Sequence, residues 1–362
     1  MAQFKRLFLS LLMILMVGSV ALPLTATHAA DAPLVNVSPS KEYGKILTGK
    51  DGLTLYIFTP DPLNDSVCVD KCATAWPPLT VASADKLTVA DGIPGKFSTF
   101  ARKDGTLQVA YNGQALYYWV KDTKAGDTTG HRVGRVWWVA TAATVYAQPL
   151  PKLGHALVGP TGMTLYLFTK DTPNTSTCYD QCATAWPPLT VKSADELVPG
   201  INLVGKWGTA ARKDGALQVT YNGWPLYYYN KDKAIGDATG ENVGKVWFTV
   251  APEIVGTANT KELGDFLTTP DGMTLYMFTK DAADTSNCSG DCAKAWPPYT
   301  VDEGERIAGG ALKGKLGTIK RADTGKLQVT YNGMPLYLYA TDKVPGDVTG
   351  QNVGKVWLVV AP

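Results

Sequence analysis

Residues 72–81 read CATAWPPLTV, and residues 182–191 read CATAWPPLTV again, 110 positions on. A third copy, CAKAWPPYTV, fills residues 292–301. Working outward, the same step relates Tyr56, Tyr166 and Tyr276, the cysteines Cys68/Cys178/Cys288 and Cys72/Cys182/Cys292, and the tryptophans Trp76/Trp186/Trp296 and Trp137/Trp247/Trp357. So long a period with so little drift marks one ancestral unit copied three times. It places units at 33–142, 143–252 and 253–362. Side chains kept in every copy are those the unit needs, and single-copy residues are weak candidates for its general chemistry.

Each unit carries a fainter inner repeat. Around Tyr56 the chain reads DGLTLYIFTPD and around Tyr117 it reads NGQALYYWVKD, each with a Gly four residues before the Tyr and an Asp five after it. A Tyr-x4-Asp pattern therefore occurs six times: Tyr56/Asp61, Tyr117/Asp122, Tyr166/Asp171, Tyr227/Asp232, Tyr276/Asp281 and Tyr337/Asp342. Asn112-Gly113, Asn222-Gly223 and Asn332-Gly333 sit between LQVxY and an aromatic run, the pattern of a type I′ hairpin. Asp51-Gly52, Thr161-Gly162 and Asp271-Gly272 suggest the same turn in the first half. Along the strands Leu226 and Tyr228 face one way and Tyr227 and Tyr229 the other, so both faces of the sheet are apolar and call for cover. The expected fold is all-β: three tandem domains of 110 residues, each a pseudo-twofold pair of hairpin-plus-strand halves. The alternative is a six-bladed, propeller-like ring.

Residues 1–30 read as a signal peptide, with Lys5 and Arg6 ahead of an apolar run (Leu7 to Leu22) and the small-residue tail Ala26-Thr27-His28-Ala29-Ala30. Export to the periplasm or the medium is expected, with no membrane span after cleavage. Removing Lys5 and Arg6 from the 34 Lys plus Arg leaves 32 basic against 32 acidic residues. A near-neutral chain argues against nucleic acid as partner, which demands a basic face.

Four sets of residues could carry chemistry. The pairs Cys68/Cys72, Cys178/Cys182 and Cys288/Cys292 admit two readings: structural disulfides of an exported protein, or redox or copper sites built on soft thiolates. A disulfide needs a distorted turn, because i and i+4 Cβ atoms of a regular helix lie too far apart. Ser66, Ser176 and Ser286 stand where they could cap that turn. The motif aspartates suit strand-end turns. Asp127, Asp237 and Asp347 in GDxTG read as turn residues, with an oxygen-rich calcium site as the sharper alternative. Trp119, Tyr229 and Tyr339 form an aromatic set able to stack on a sugar or cage a cation, although strand aromatics are usually core. Lys103-Asp104 and Lys213-Asp214 are lost from the third copy and read as a solvated turn. His131 and His155 each occur in one copy, and no catalytic constellation repeats. The expectation is no enzyme, no cofactor and no resident metal.

LYLFTKDTPNTSTCYDQCATAWPPL and LQVTYNGWPLYYYNKDKAIGDATG together resemble the bacterial secreted repeats, or lipoprotein-like repeats, marked by a Tyr-x-(Phe/Trp/Tyr)-x-x-Asp motif. The resemblance spans residues 31–362 and implies an exported all-β protein of paired repeats, with no established activity. No cysteine precedes Cys68, so the lipid anchor of such relatives is not expected. The functional expectation is a non-catalytic binding or envelope-associated protein, its partner a cell-envelope component or glycan. The rival is a periplasmic redox or copper-handling protein using the cysteine pairs.

Overall fold

In the first unit the chain opens with a hairpin, β1 (Val35–Ser40) on β2 (Gly44–Gly49), and enters the motif strand β3 (Tyr56–Phe58). A short helix α1 (Lys71–Ala75) and β4 (Thr80–Val81) complete the first half. The second half repeats the plan: β5 (Phe97–Ala101) and β6 (Leu107–Tyr111) form a hairpin, β7 (Gln114–Ala115) leads into the Tyr117 segment, and β8 (Trp137–Val139) closes the unit. The computed structural model describes residues 32–309 and 312–362. The expected signal peptide therefore lies outside the described residues.

The halves are interlocked rather than side by side. Strand β3 of the first half pairs with β8 of the second, Tyr56 opposite Val139. Tyr117 of the second half bridges Pro78 beside β4 of the first. Between them Tyr56 and Tyr117 exchange backbone bonds, Tyr56 N–H to Tyr117 O at 2.8 Å and Tyr117 N–H to Tyr56 O at 3.0 Å. The pseudo-dyad passes between these two residues. Because each half lends its tryptophan strand to the other, a half is not a free-standing blade. The pattern recurs at Tyr166/Tyr227 and Tyr276/Tyr337, so three tandem β units describe the chain.

The two turn types differ from one another. Asn112 (φ 50°) and Gly113 (φ 80°) are both left-handed, as a type I′ turn requires. In the first half only Gly52 (φ 80°) is, and Gly52 N–H bonds Gly49 O at 3.0 Å while Gly49 N–H bonds Leu53 O. That is a type I turn closed by a left-handed glycine, not a second type I′ turn. Aspartate or threonine precedes this glycine, and those residues enter the left-handed region less readily than the Asn of the second turn.

Alternation sets two cores per unit. Leu165, Leu167, Leu226 and Tyr228 pack on one side of the second unit, and Tyr166, Phe168, Tyr227 and Tyr229 on the other. The six motif tyrosines are among the largest wholly buried side chains. Residues 33–362 form one body. The first and third units, distant in sequence, meet where Arg132 and Arg135 clasp Asp271 at 3.2 and 2.8 Å.

Candidate functional site

At the pseudo-dyad the motif is wired crosswise. Tyr56 donates its hydroxyl to Asp122 at 2.5 Å, and Tyr117 donates to Asp61 at 2.5 Å. The tyrosine of each half therefore serves the aspartate of the other. The same crossing joins Tyr166 to Asp232 and Tyr227 to Asp171, both at 2.6 Å, and Tyr276 to Asp342 and Tyr337 to Asp281 at 2.7 and 2.6 Å. Each aspartate keeps its second oxygen for the local turn: Asp61 accepts Val67 N–H at 2.8 Å, and Asp122 accepts the N–H and hydroxyl of Thr129. Burial, then the adjoining carboxylate, pushes both tyrosine hydroxyls well above the usual phenol range. Burial also holds the Asp61 carboxyl above its ordinary value, against the bonds that favour the charged form.

The tryptophans and the second motif aromatic build a four-ring column. Trp76 and Trp137, one from each half, stack at 3.8 Å and 3°. Phe58 covers the outer face of Trp137 at 4.3 Å, and Trp119 covers that of Trp76 at 4.0 Å. Phe168–Trp247–Trp186–Tyr229 and Phe278–Trp357–Trp296–Tyr339 repeat it. Gly130 admits the column, since a Cβ there would meet the Trp76 ring at 2.7 Å.

Each cysteine pair is closed as a disulfide: Cys68–Cys72, Cys178–Cys182 and Cys288–Cys292, with Cα atoms 5.2, 5.2 and 5.3 Å apart. The two members of a pair sit differently. Cys68, Cys178 and Cys288 are wholly buried, whereas Cys72, Cys182 and Cys292 open the short helix and are half-buried beside the column. The distortion the bridge requires sits between the cysteines, where Asp70, Asp180 and Gly290 take φ of 52°, 52° and 56°. Copper ligation needs free thiolates, and a redox pair must open to them in its reduced form. The half-buried Cys72, Cys182 and Cys292, the sulfurs nearest solvent, have theirs bonded to Cys68, Cys178 and Cys288, and among the described residues no cysteine is free.

The serines do not cap the helix. Ser66 bonds the Tyr117 hydroxyl at 2.6 Å and accepts from Arg102 at 3.0 Å, and Ser176 and Ser286 do the same with Tyr227 and Tyr337 and their own arginines. Arg102 is buried and reaches Cys68 O at 2.7 Å and Gln108 Oε1, while Gln108 donates to Leu116 O at 2.9 Å. Arg212 and Arg321 make the same three contacts in their units.

A different kind of site lies where the units meet. A cavity of about 380 Å³ draws its walls from all three, among them Trp138 of the first, Ile201 of the second, and Glu253, Ile254, Asp302 and Glu305 of the third. Glu253, only 8 % exposed, takes one side-chain bond, from Asn222 at 2.5 Å. Burial pushes its carboxyl up, against that bond. Glu305 is tied across units to His155, at 2.9 Å to Nδ1 and 3.1 Å to the backbone N–H. Burial works to raise the Glu305 carboxyl, but the His155 contacts outweigh it and leave it below its ordinary value. The same bond raises His155.

Six segments of the chain, residues 39–80, 98–141, 150–190, 208–251, 257–300 and 317–361, match the family described as a secreted repeat of unknown function. The chain belongs to that family. No curated protein and no solved structure matches it. The six matched segments fall one to each half, so a secreted repeat corresponds to one half of an interlocked unit. Among the described residues no helix is long and apolar enough to cross a membrane.

Within this secreted-repeat frame the motif residues converge, and other candidates do not. Trp119, Tyr229 and Tyr339 end their columns, one face on a tryptophan, with Lys121 5.5 Å from the Trp119 ring and Lys231 5.9 Å from that of Tyr229. Asp127, Asp237 and Asp347 turn their carboxylates onto backbone N–H groups at 2.7–3.1 Å. Among the described residues no cluster of three or more His, Cys, Asp or Glu is placed to hold a metal. The arginines Arg102, Arg212 and Arg321 were not legible at a strict 110-residue step, because the third is shifted by one position; a gap of one residue reveals them. The junction residues His155 and Glu253 have no like residue at the 110-residue step, and Glu305 is matched there only by the carboxylates Asp85 and Asp195, so a filter built on identical residues discards all three.

Proposed function

We propose that this secreted repeat protein is a non-catalytic binding protein of the bacterial envelope, periplasmic or released, whose ligand enters the cavity between the three units. The cavity carries the reading. It is of a size that holds small ligands, it is mostly apolar with a few convergent polar groups, and it joins single-copy residues such as His155, Ile201 and Glu253 to recurring ones such as Asp61 and Tyr111. The inner rings of each column support a structural role instead, since neighbouring rings cover both their faces, while Trp119, Tyr229 and Tyr339 keep one face off the column. Screening envelope glycan fragments and small metabolites by ligand-observed NMR tests the reading, with Thr59→Trp as control. Thr59 is an exposed cavity residue, so the indole blocks the cavity without entering the core. At least one ligand is expected to contact the native protein and lose contact with the folded variant. Ligands that bind both forms equally would move the site elsewhere.

The cysteine pairs Cys68/Cys72, Cys178/Cys182 and Cys288/Cys292 are assigned to structure on the same grounds: each packs against its aromatic column and is held by a buried arginine. Counting thiols in natively purified protein is expected to find all six blocked and no copper. Reactive thiols or stoichiometric copper would restore the redox or metal reading.

A further inference from the structure

We infer that the ligand of the junction cavity is a small organic cation, an amine or quaternary ammonium carried on an apolar or aromatic body; this rests on the cavity being the binding site. The lining contains four carboxylates, Asp61, Glu253, Asp302 and Glu305, and no lysine or arginine. Two of the four are already matched. Asp61 is bonded by Tyr117 and Val67, and Glu305 by His155. Arg306, next in sequence to Glu305, turns away and spends its guanidinium on the carbonyls of Leu153, Thr249 and His155. That leaves Asp61, Glu253 and Asp302 without a cation, and of these Asp61 already has both oxygens bonded.

Glu253 is the decisive group. Its side chain is buried, yet among the described residues it has a single neutral donor, the Asn222 amide, and no ion pair. A buried carboxylate in that state is costly unless something positive reaches it. Asp302 is exposed and adds a second negative charge to the lining. Trp138, Tyr111 and Tyr146 bring aromatic rings to the lining, and Ile201, Leu203 and Ile254 bring apolar side chains. Aromatic rings with carboxylates are the combination that recognises an alkylammonium, whose charge the π faces and carboxylates share.

Calorimetric titration of the intact protein at neutral pH with three isosteric probes tests this: 2-phenylethylamine, 2-phenylethanol and 3-phenylpropionate. The amine is expected to bind about tenfold or more tighter than the alcohol, with the carboxylate weakest, as a charge-assisted contact implies. Glu253→Gln keeps the Asn222 bond and is expected to erase the preference; Asp302→Asn, at an exposed position, is expected to reduce it by a smaller factor. Equal binding of amine and alcohol, or a preference that survives in both folded variants, overturns the cation assignment while leaving the cavity as the binding site. If none of the three probes binds and Thr59→Trp changes nothing in the wider screen, both readings fall.

Discussion

Tyr56 gives its hydroxyl to Asp122, 66 residues away, while Asp61 five residues away takes the hydroxyl of Tyr117. The geometry of a strand explains why. Tyr56 and Tyr117 lie antiparallel across the pseudo-dyad, so each ring extends toward the turn that ends the other's strand. Losing the hydroxyl would leave a buried carboxylate oxygen of Asp122 and the Gly130 N–H without their partner. Tyr56→Phe is therefore expected to cost about 1–3 kcal/mol. A double-mutant cycle read by urea unfolding separates the wiring from mere proximity. Tyr56→Phe with Asp122→Asn should show coupling of about 1 kcal/mol, and Tyr56→Phe with Asp61→Asn clearly less. The reverse order would mean that the motif pairs within a half. The same scale shows how identity can hide function. His131, Glu241 and Gln351 are three different residues at one repeat position, yet each accepts the N–H of the strand residue opposite, Val139, Thr249 and Val359. What the position preserves is an acceptor, and a comparison of letters does not see it.

The interlocked halves turn local features into a frame at the scale of elements. The hairpin β5–β6 carries Arg102 at its end, and that guanidinium ties the hairpin to the disulfide loop before α1 and, through Ser66, to Tyr117. Replacing Arg102 by Leu would strand Gln108 Oε1 and Cys68 O in a dry interior. The expected loss is about 2–6 kcal/mol, at about 1–3 kcal/mol for each buried acceptor left unpaired. The neighbouring disulfide spans a sequence step of only 4. Removing it as Cys68→Ala with Cys72→Ala should cost about 2 kcal/mol on loop-closure grounds. Hydrogen exchange distinguishes the two. The disulfide variant should loosen residues 66–76 alone, the arginine variant both that loop and the β5–β6 hairpin; identical patterns would contradict the tie. Much of this level was readable beforehand. Two-residue alternation put Leu226 and Tyr227 on opposite faces, and Asn112-Gly113 named its turn, because these depend on neighbours in sequence. The crossing of tyrosines to aspartates was not readable, because all six half-motifs look alike and nothing local says which partner each takes. Ser66 was misassigned for the same reason: its partners Tyr117 and Arg102 arrive from the other half.

Repetition itself set the limit for the whole molecule. Three equal copies in a chain cannot meet through equal residues at every contact, so each junction has at least one partner that differs between copies: Arg132, beside Arg135, on Asp271, His155 on Glu305, and Tyr146 on the recurring Tyr111. The partners found in one copy were invisible to a reading that kept only what recurs, and Tyr111, Tyr146, His155 and Glu305 line the cavity. The Asp271 clasp joins the first unit to the third, and Asp271→Ala leaves two guanidiniums facing each other. Small-angle scattering should then report a larger radius of gyration than for the native protein; an unchanged radius would show that the clasp does not hold the ends together. The His155–Glu305 contact makes a sharper prediction, in pH. His155 is raised from its usual value near 6.5, so its contribution is fully present below about pH 6.5 and is lost as pH rises through the higher folded value. Glu305 is lowered, so its contribution is present above about pH 4.5 and lost as pH falls through the folded value. The pair therefore contributes most between these limits. His131 acts with the opposite sign. Burial, aided by Arg132, lowers it to about 4, so its protonation destabilises the fold as pH drops from about 6.5 toward 4. A bare pH profile of the native protein would mix the two histidines. The difference in melting temperature between native protein and His155→Asn cancels His131 and isolates the junction. That difference should favour the native protein at about pH 5.5 and shrink toward zero by about pH 8.5. A difference that stays flat or grows toward alkaline pH would show that the two units are not held through a protonated His155.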